Sequence, residues 1–147
     1  MNHLRRELSP LTPRAVSLIE SEAKQTLATY LSARKLVEFS GPHGWEFSAV
    51  PLGRVQDTKL DADSTLVAKQ RLVQPLIEVR SPFDLAMGQL DDIERGADPD
   101  LDEVVDAARR IALAEDRTVY FGAKSANVDG IISGSSQRPI TLSNDFQ

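Results

Sequence analysis

The sequence contains no cysteine. Disulfide frameworks, thiolate nucleophiles and cysteine-ligated metal sites are therefore excluded, and the absence fits a reducing compartment such as the cytoplasm. Aromatic residues make up only 5% of the chain and Trp45 is the single indole, so a core must be built from Val, Leu, Ile and Ala. Long apolar runs are missing too. No stretch approaches the roughly 18 residues a membrane helix needs, and Arg5, Arg6 and Glu7 stand where a signal peptide would begin its apolar segment. The two histidines, His3 and His43, have no second histidine or cysteine at ligand spacing, whereas a metal site needs three or four converging ligands. There is no basic excess: the formal charge is −5, with the two signs interleaved. That argues against the electrostatic footprint of a nucleic-acid binder.

A length of 147 residues suits one domain. Thr12 is a good N-cap and Pro13 fits the first helical position, where its missing N–H costs nothing. Val16, Ile19, Ala23, Leu27, Tyr30 and Leu31 then form one apolar stripe, predicting an amphipathic helix from Pro13 to Ala33. Leu36 to Phe39 is a short strand candidate, ended by Gly41-Pro42 and Gly44. From Trp45 to Arg80 the pattern is extended, with a polar tip at Asp61-Ala62-Asp63-Ser64 and a two-residue period through Ile77, Glu78, Val79 and Arg80. The expectation is a long two-stranded arm. Such an arm is marginal in water unless neighbours cover it.

Asp84 to Arg95 reads as a second helix with Gly96 as its stop. A long third helix follows, with Asp100 as N-cap, Glu103 completing a capping box and an end near Gly122. Its apolar side is Leu101, Val104, Val105, Ala108, Ile111, Ala112 and Val119, and Asp106 with Arg110 forms an i,i+4 pair. Beyond Asn127, Gly130, Gly134, Ser135 and Ser136 mark loops around Ile131-Ile132, and the chain stops at Ser143 to Gln147. The sum is an α+β chain with helices and an arm but few strands to pack them, which reads as a domain cut partway.

Catalytic chemistry finds little support. The acidic pairs at Asp91-Asp92, Asp98 to Glu103 and Glu115-Asp116 sit on helices, where they serve as solvated faces and caps, and Glu94, Arg95 and Glu115 are candidates for internal pairing. Gly130 to Ser136 lacks the Gly-Lys-Ser/Thr ending of a phosphate loop, and the serines lack a base with an orienting acid. A protease or peroxidase-type enzyme is thereby disfavoured. An assembly and interaction protein is the better reading.

Five segments carry a resemblance, in order and nearly end to end. They are Leu4 to Thr12, Gly41 to Ala49, Pro75 to Arg80 with Pro82-Phe83, Leu90 to Gly96, and Ala112 to Asp116 leading to Gly122. Together they resemble the encapsulins, the linocin-type shell proteins of bacterial and archaeal nanocompartments. The resemblance implies a tailed-phage capsid-like (HK97-type) fold whose many copies form an icosahedral shell around a cargo enzyme, a peroxidase or a ferritin-like iron oxidase. It divides the chain into an interior-facing helix and first P-domain strand at 1–40, an E-loop arm at 41–82, P-domain helices with a long spine at 83–129, and the start of an A-domain at 130–147. A phage or prophage major capsid protein is the alternative within the structural class, and the net acidity leans against it.

The same resemblance places a pocket for the cargo's C-terminal targeting peptide at Leu27, Leu31, Arg34 and Glu38; as plain sequence, the two leucines read better as a core stripe, and only the resemblance brings the pocket level with it. Some encapsulins stack a flavin on a tryptophan of the second helix, but the matching residue here is Gly88, so no cofactor is expected. Encapsulins continue well beyond residue 147. The expected partners are therefore further copies of the chain, a second chain carrying the remaining half, and the cargo, with no membrane and no nucleic acid. A deliberate split, a proteolytic product and a natural truncation all fit.

Overall fold

In the computed structural model, residues 8–60, 66–138 and 140 are described. Thr12 opens helix α1 (Pro13–Tyr30) as expected, its hydroxyl accepting from the Ala15 N–H at 3.1 Å. The same hydroxyl donates to the Glu94 carboxylate and so ties the start of α1 to the second helix. The helix stops at Tyr30 rather than Ala33. Leu31 turns extended, and the amides of Ser32 and Ala33 turn to the carboxylate of Asp116 instead of helical carbonyls. A single 3₁₀ turn, Ala33–Lys35, follows.

No strand forms at Leu36 to Phe39, because no strand among the described residues lies beside it to complete a ladder. The arm is present: β1 (Ala49–Thr58) pairs antiparallel with β2 (Ala68–Pro75), with Ala49 opposite Pro75 and Thr58 opposite Ala68. The register shifts between Pro51 and Val55. Pro51 has no N–H to give the ladder, and Gly53 takes φ +66°, a left-handed conformation that glycine adopts without steric cost. The expected tip, Asp61 to Ser64, lies outside the described residues.

Among the described residues Ile77 to Arg80 joins no strand ladder, although its period is that of a strand. Leu76 still donates to the Ser48 carbonyl at 2.9 Å, but beyond it the opposite chain turns, with Phe47 N–H donating to Gly44 O at 3.0 Å.

Helix α2 (Met87–Arg95) begins three residues later than expected, with the Ala86 N–H donating to the Gln89 side-chain oxygen at 3.1 Å. It ends at Gly96 with φ +79°, and the Gly96 and Ala97 amides return to the Ile93 and Asp92 carbonyls. Helix α3 (Asp102–Phe121) has Leu101, not Asp100, at its N-cap, although the Asp100 carboxylate accepts from the Asp102 N–H at 3.0 Å. Arg110 reaches Ser81 Oγ at 3.0 Å, which ties the chain after the arm to α3.

The buried side of α3 is Val104, Ala107, Ala108, Ala112 and Asp116. Alanines here let α1 approach α3 closely, and Ile93 of α2, which packs on α1, is 1% exposed. Among the described residues five of the eight buried apolar residues are alanines, so this core contributes little for a chain of this length. At Gly122 (φ +80°) a Cβ would lie 2.5 Å from the Val128 carbonyl, because the two-residue strands β3 (Gly122–Ala123) and β4 (Val128–Asp129) close there. A short helix, α4 (Ile131–Gly134), stands where loop was expected. Ser143 to Gln147 lies outside the described residues.

Candidate functional site

The turn after α1 gathers the residues the sequence points to. Leu27 is half-buried, while Leu31 is 8% exposed and belongs to the core. Arg34 is engaged on two sides. Its Nε donates to Glu115 Oε1 at 2.5 Å and its Nη2 to Oε2 at 2.7 Å, and its guanidinium carbon sits 4.3 Å from the centre of the Phe39 ring. Glu38 is exposed. Leu36 and Phe39 flank it at 71% and 55% exposure, so an apolar surface exists here, built from residues other than the two leucines first singled out.

Asp116 holds the turn from below. Its carboxylate accepts from Ser32 N–H (2.9 Å), Ala33 N–H (2.9 Å) and Ser32 Oγ–H (2.5 Å), and Ser32 Oγ also lies 3.4 Å from the Tyr120 hydroxyl. Burial pushes this carboxyl up, but the hydrogen bonds from Ser32 and Ala33, with the charge of Arg34, outweigh it and hold the group below its ordinary value. The Arg34 guanidinium moves the other way, raised chiefly by its bond to Glu115. Sequence reasoning placed the Glu115-Asp116 pair among the solvated acids while naming Glu115 a candidate for internal pairing, which its bond to Arg34 bears out; the buried role of Asp116 was not foreseen. The missed signal was spacing: Asp116 continues the four-residue run Val104, Ala108, Ala112 on the buried side of α3.

At the base of the arm, His43, Trp45, Phe47, Leu76 and Ile77 line an open groove of about 380 Å³. His43 stacks on Phe47 with ring centroids 4.4 Å apart and approaches Ser40 Oγ at 3.3 Å; His3 lies outside the described residues. Gly88 faces open space on the exposed side of α2. Among the described residues no cluster of three or more His, Cys, Asp or Glu is placed to hold a metal ion, and no helix is long and apolar enough to cross a membrane. In the 130–136 segment, Ser133 Oγ accepts from the Gly130 N–H at 3.1 Å. Two of the acids are paired: Asp92 with Arg95 at 2.9 Å within α2, and Glu115 with Arg34 across the sequence.

Among the described residues, a small alanine core, an arm exposed along almost its whole first strand, and apolar side chains left on the surface are the marks of a class of protein whose surfaces association commonly covers. The comparisons agree. The family model described as an encapsulating protein for peroxidase matches residues 1–147. The chain is 44% identical to a type 1 encapsulin shell protein of Rhodospirillum rubrum, covering 99% of this chain and 54% of that protein. It is 41% identical to that of Brevibacterium linens (97% and 53%) and 39% identical to that of Mycobacterium tuberculosis (99% and 55%). The chain belongs to the encapsulin shell-protein family. It spans about half the length of these relatives.

Proposed function

We propose that the chain contributes the N-terminal part of an encapsulin shell subunit, many copies of which close into an icosahedral HK97-type shell around a cargo enzyme. The observation that carries this is the β1–β2 arm, whose first strand is exposed along most of its length while a two-stranded ribbon is marginal in isolation. A neighbouring copy beneath the arm supplies the missing cover. In this reading residues 1–40 face the interior, 41–82 form the arm, 83–129 carry the spine helix α3, and 130–147 open an A-domain. The role is structural and needs no catalytic residue in this chain.

The relatives' greater length, together with exposed Leu36, Leu113 and Phe121 on the helical body, supports a second chain carrying the remaining half. The guest is a peroxidase or a ferritin-like enzyme whose C-terminal peptide docks near Leu27, Leu31, Arg34 and Glu38, and the compartment is cytoplasmic. Net acidity supports a protein rather than a nucleic-acid cargo.

Size-exclusion chromatography and electron microscopy of the 147-residue chain, with and without a second chain equivalent to the relatives' remaining half, test this. Closed shells are expected only from the mixture. Shells from the 147 residues by themselves refute the second chain; no shells in either sample refute the shell assignment.

A further inference from the structure

We infer that one face of the β1–β2 arm is a docking face for a second copy of the chain, which it meets at that copy's acidic segment, residues 84–106. This rests on the proposed shell reading and names the surface that receives the arm. The register puts the charge of the paired strands on one side. Pro51 stands opposite Val73, Val55 opposite Arg71 and Asp57 opposite Lys69, and residues 69, 71 and 73 share one side of β2. The other side pairs Val50 with Gln74, Gln56 with Gln70 and Thr58 with Ala68, and carries no charge.

All six residues of the charged side are exposed. Asp57 offsets Lys69 only weakly, at 4.0 Å with 89% of its side chain exposed. Exposed Arg54 and Lys59 bring the described arm, residues 49–60 and 66–75, to four cations against one acid; Asp61 and Asp63 belong to the tip, outside the described residues. Pro51, Val55 and Val73 with the neighbouring cations have the layout of an apolar interface centre and its polar rim.

The same chain carries the complement. Residues 84–106 hold nine acids and a single cation, Arg95, which pairs with Asp92. Asp91, Asp98, Asp102, Glu103 and Asp106 are exposed there and have no cationic partner among the described residues. Outside 84–106 and the described arm, the chain balances with twelve charges of each sign. Within one copy, no arm cation pairs with the acidic segment among the described residues. The arm is tied to the body at its base, where Gln74 Nε2 donates to the Ala126 carbonyl at 3.4 Å, and Lys69 lies about 17 Å farther out along the strand. Two different patches that complement each other join copies head to tail, which closes into a ring when the rotation between copies allows it, and their charges fix the register of the contact. The arm strands hold no aromatic ring on which a nucleic acid could stack its bases, and residues 84–106 would repel it.

Carbodiimide coupling tests this, because it joins a lysine amine to a carboxylate only where the two touch. Half of the 147-residue chain is isotope-labelled, so that links between copies are told from links within one. It is coupled alone and mixed with a second chain equivalent to the relatives' remaining half. Lys59 or Lys69 of one copy should couple to acids of 84–106 in another. The yield should fall at least about fivefold between about 0.1 M and 1 M salt, as the screening length drops from about 10 Å to about 3 Å. Links confined to one copy, links only to acids elsewhere, or a yield indifferent to salt overturn the inference. So does a copurifying nucleic acid that shields the two lysines.

Arg54→Glu with Arg71→Glu keeps both reporting lysines and should lower the yield about fivefold; adding Asp91→Arg with Asp98→Arg in the same chain should restore at least about half of it. A failure to restore it means that the arm meets another surface, and overturns the pairing. Closed shells without these links overturn the inference and leave the shell reading standing. Links without closed shells in the mixture refute the shell reading and leave the contact between copies.

Discussion

Replacing Asp116 tests the physical account of this fold most directly. The carboxylate sits at 9% exposure and accepts from two backbone amides and one hydroxyl of the α1 exit turn. Asp116→Asn keeps the shape and one carbonyl oxygen, but it turns charge-assisted bonds into neutral ones and points an NH₂ at a donor. The expected loss is about 1–2 kcal/mol. Asp116→Ala leaves both amides without their acceptor, and its expected loss is about 3 kcal/mol. In a chain of this size each kcal/mol moves the melting temperature by about 2–4 °C, which circular dichroism resolves.

The sign of the pH dependence follows from the lowered pKa. The contribution of Asp116 is fully present above the ordinary unfolded-state value of about 3.9 and is lost as pH falls through the lower folded-state value. The gap between parent and Asp116→Asn should therefore be flat from about pH 6 to 8 and narrow only as the pH drops below about 4. Two variants within about 0.5 kcal/mol of the parent at neutral pH, the range of ordinary surface changes, would refute the reasoning.

Three further outcomes follow from the packing. Gly122→Ala places a Cβ 2.5 Å from the Val128 carbonyl at φ +80° and should destabilise by about 2 kcal/mol, whereas Gly88→Ala meets open space in a helix and should stabilise by about 0.5 kcal/mol; thermal melts that fail to give opposite signs contradict the geometry. Ile93→Ala empties one of the largest fully buried side chains, where α2 packs on α1, and should cost about 2–4 kcal/mol in urea titration. Val55→Lys lies on the exposed arm, so it should leave the melt within about 0.5 kcal/mol while reducing shell yield in electron microscopy; an undiminished yield removes this face of the arm from the contact with neighbours.

Local rules in the sequence determined the helix signals at Thr12-Pro13, Gly96 and Gly122, the apolar stripes and the existence of the arm. Each depends on residues within a few positions of one another or on a simple period, which is why it is legible in one dimension. The family resemblance was legible for the same reason, as short ordered segments.

What only the tertiary structure decided are events between distant positions. The alternation at Ile77 to Arg80 and the short run at Leu36 to Phe39 have strand character but no strand beside them among the described residues, and a ladder needs a partner. Asp116 looks like an ordinary surface acid, and Glu115 has no visible partner, until α1 folds back on α3 and brings Ser32, Ala33 and Arg34, more than eighty residues away, onto them. A hydrogen bond across that separation has no signature in either local segment. It is created by the packing of two alanine-lined helices, and it is this packing that brings the still exposed Arg34 onto Glu115.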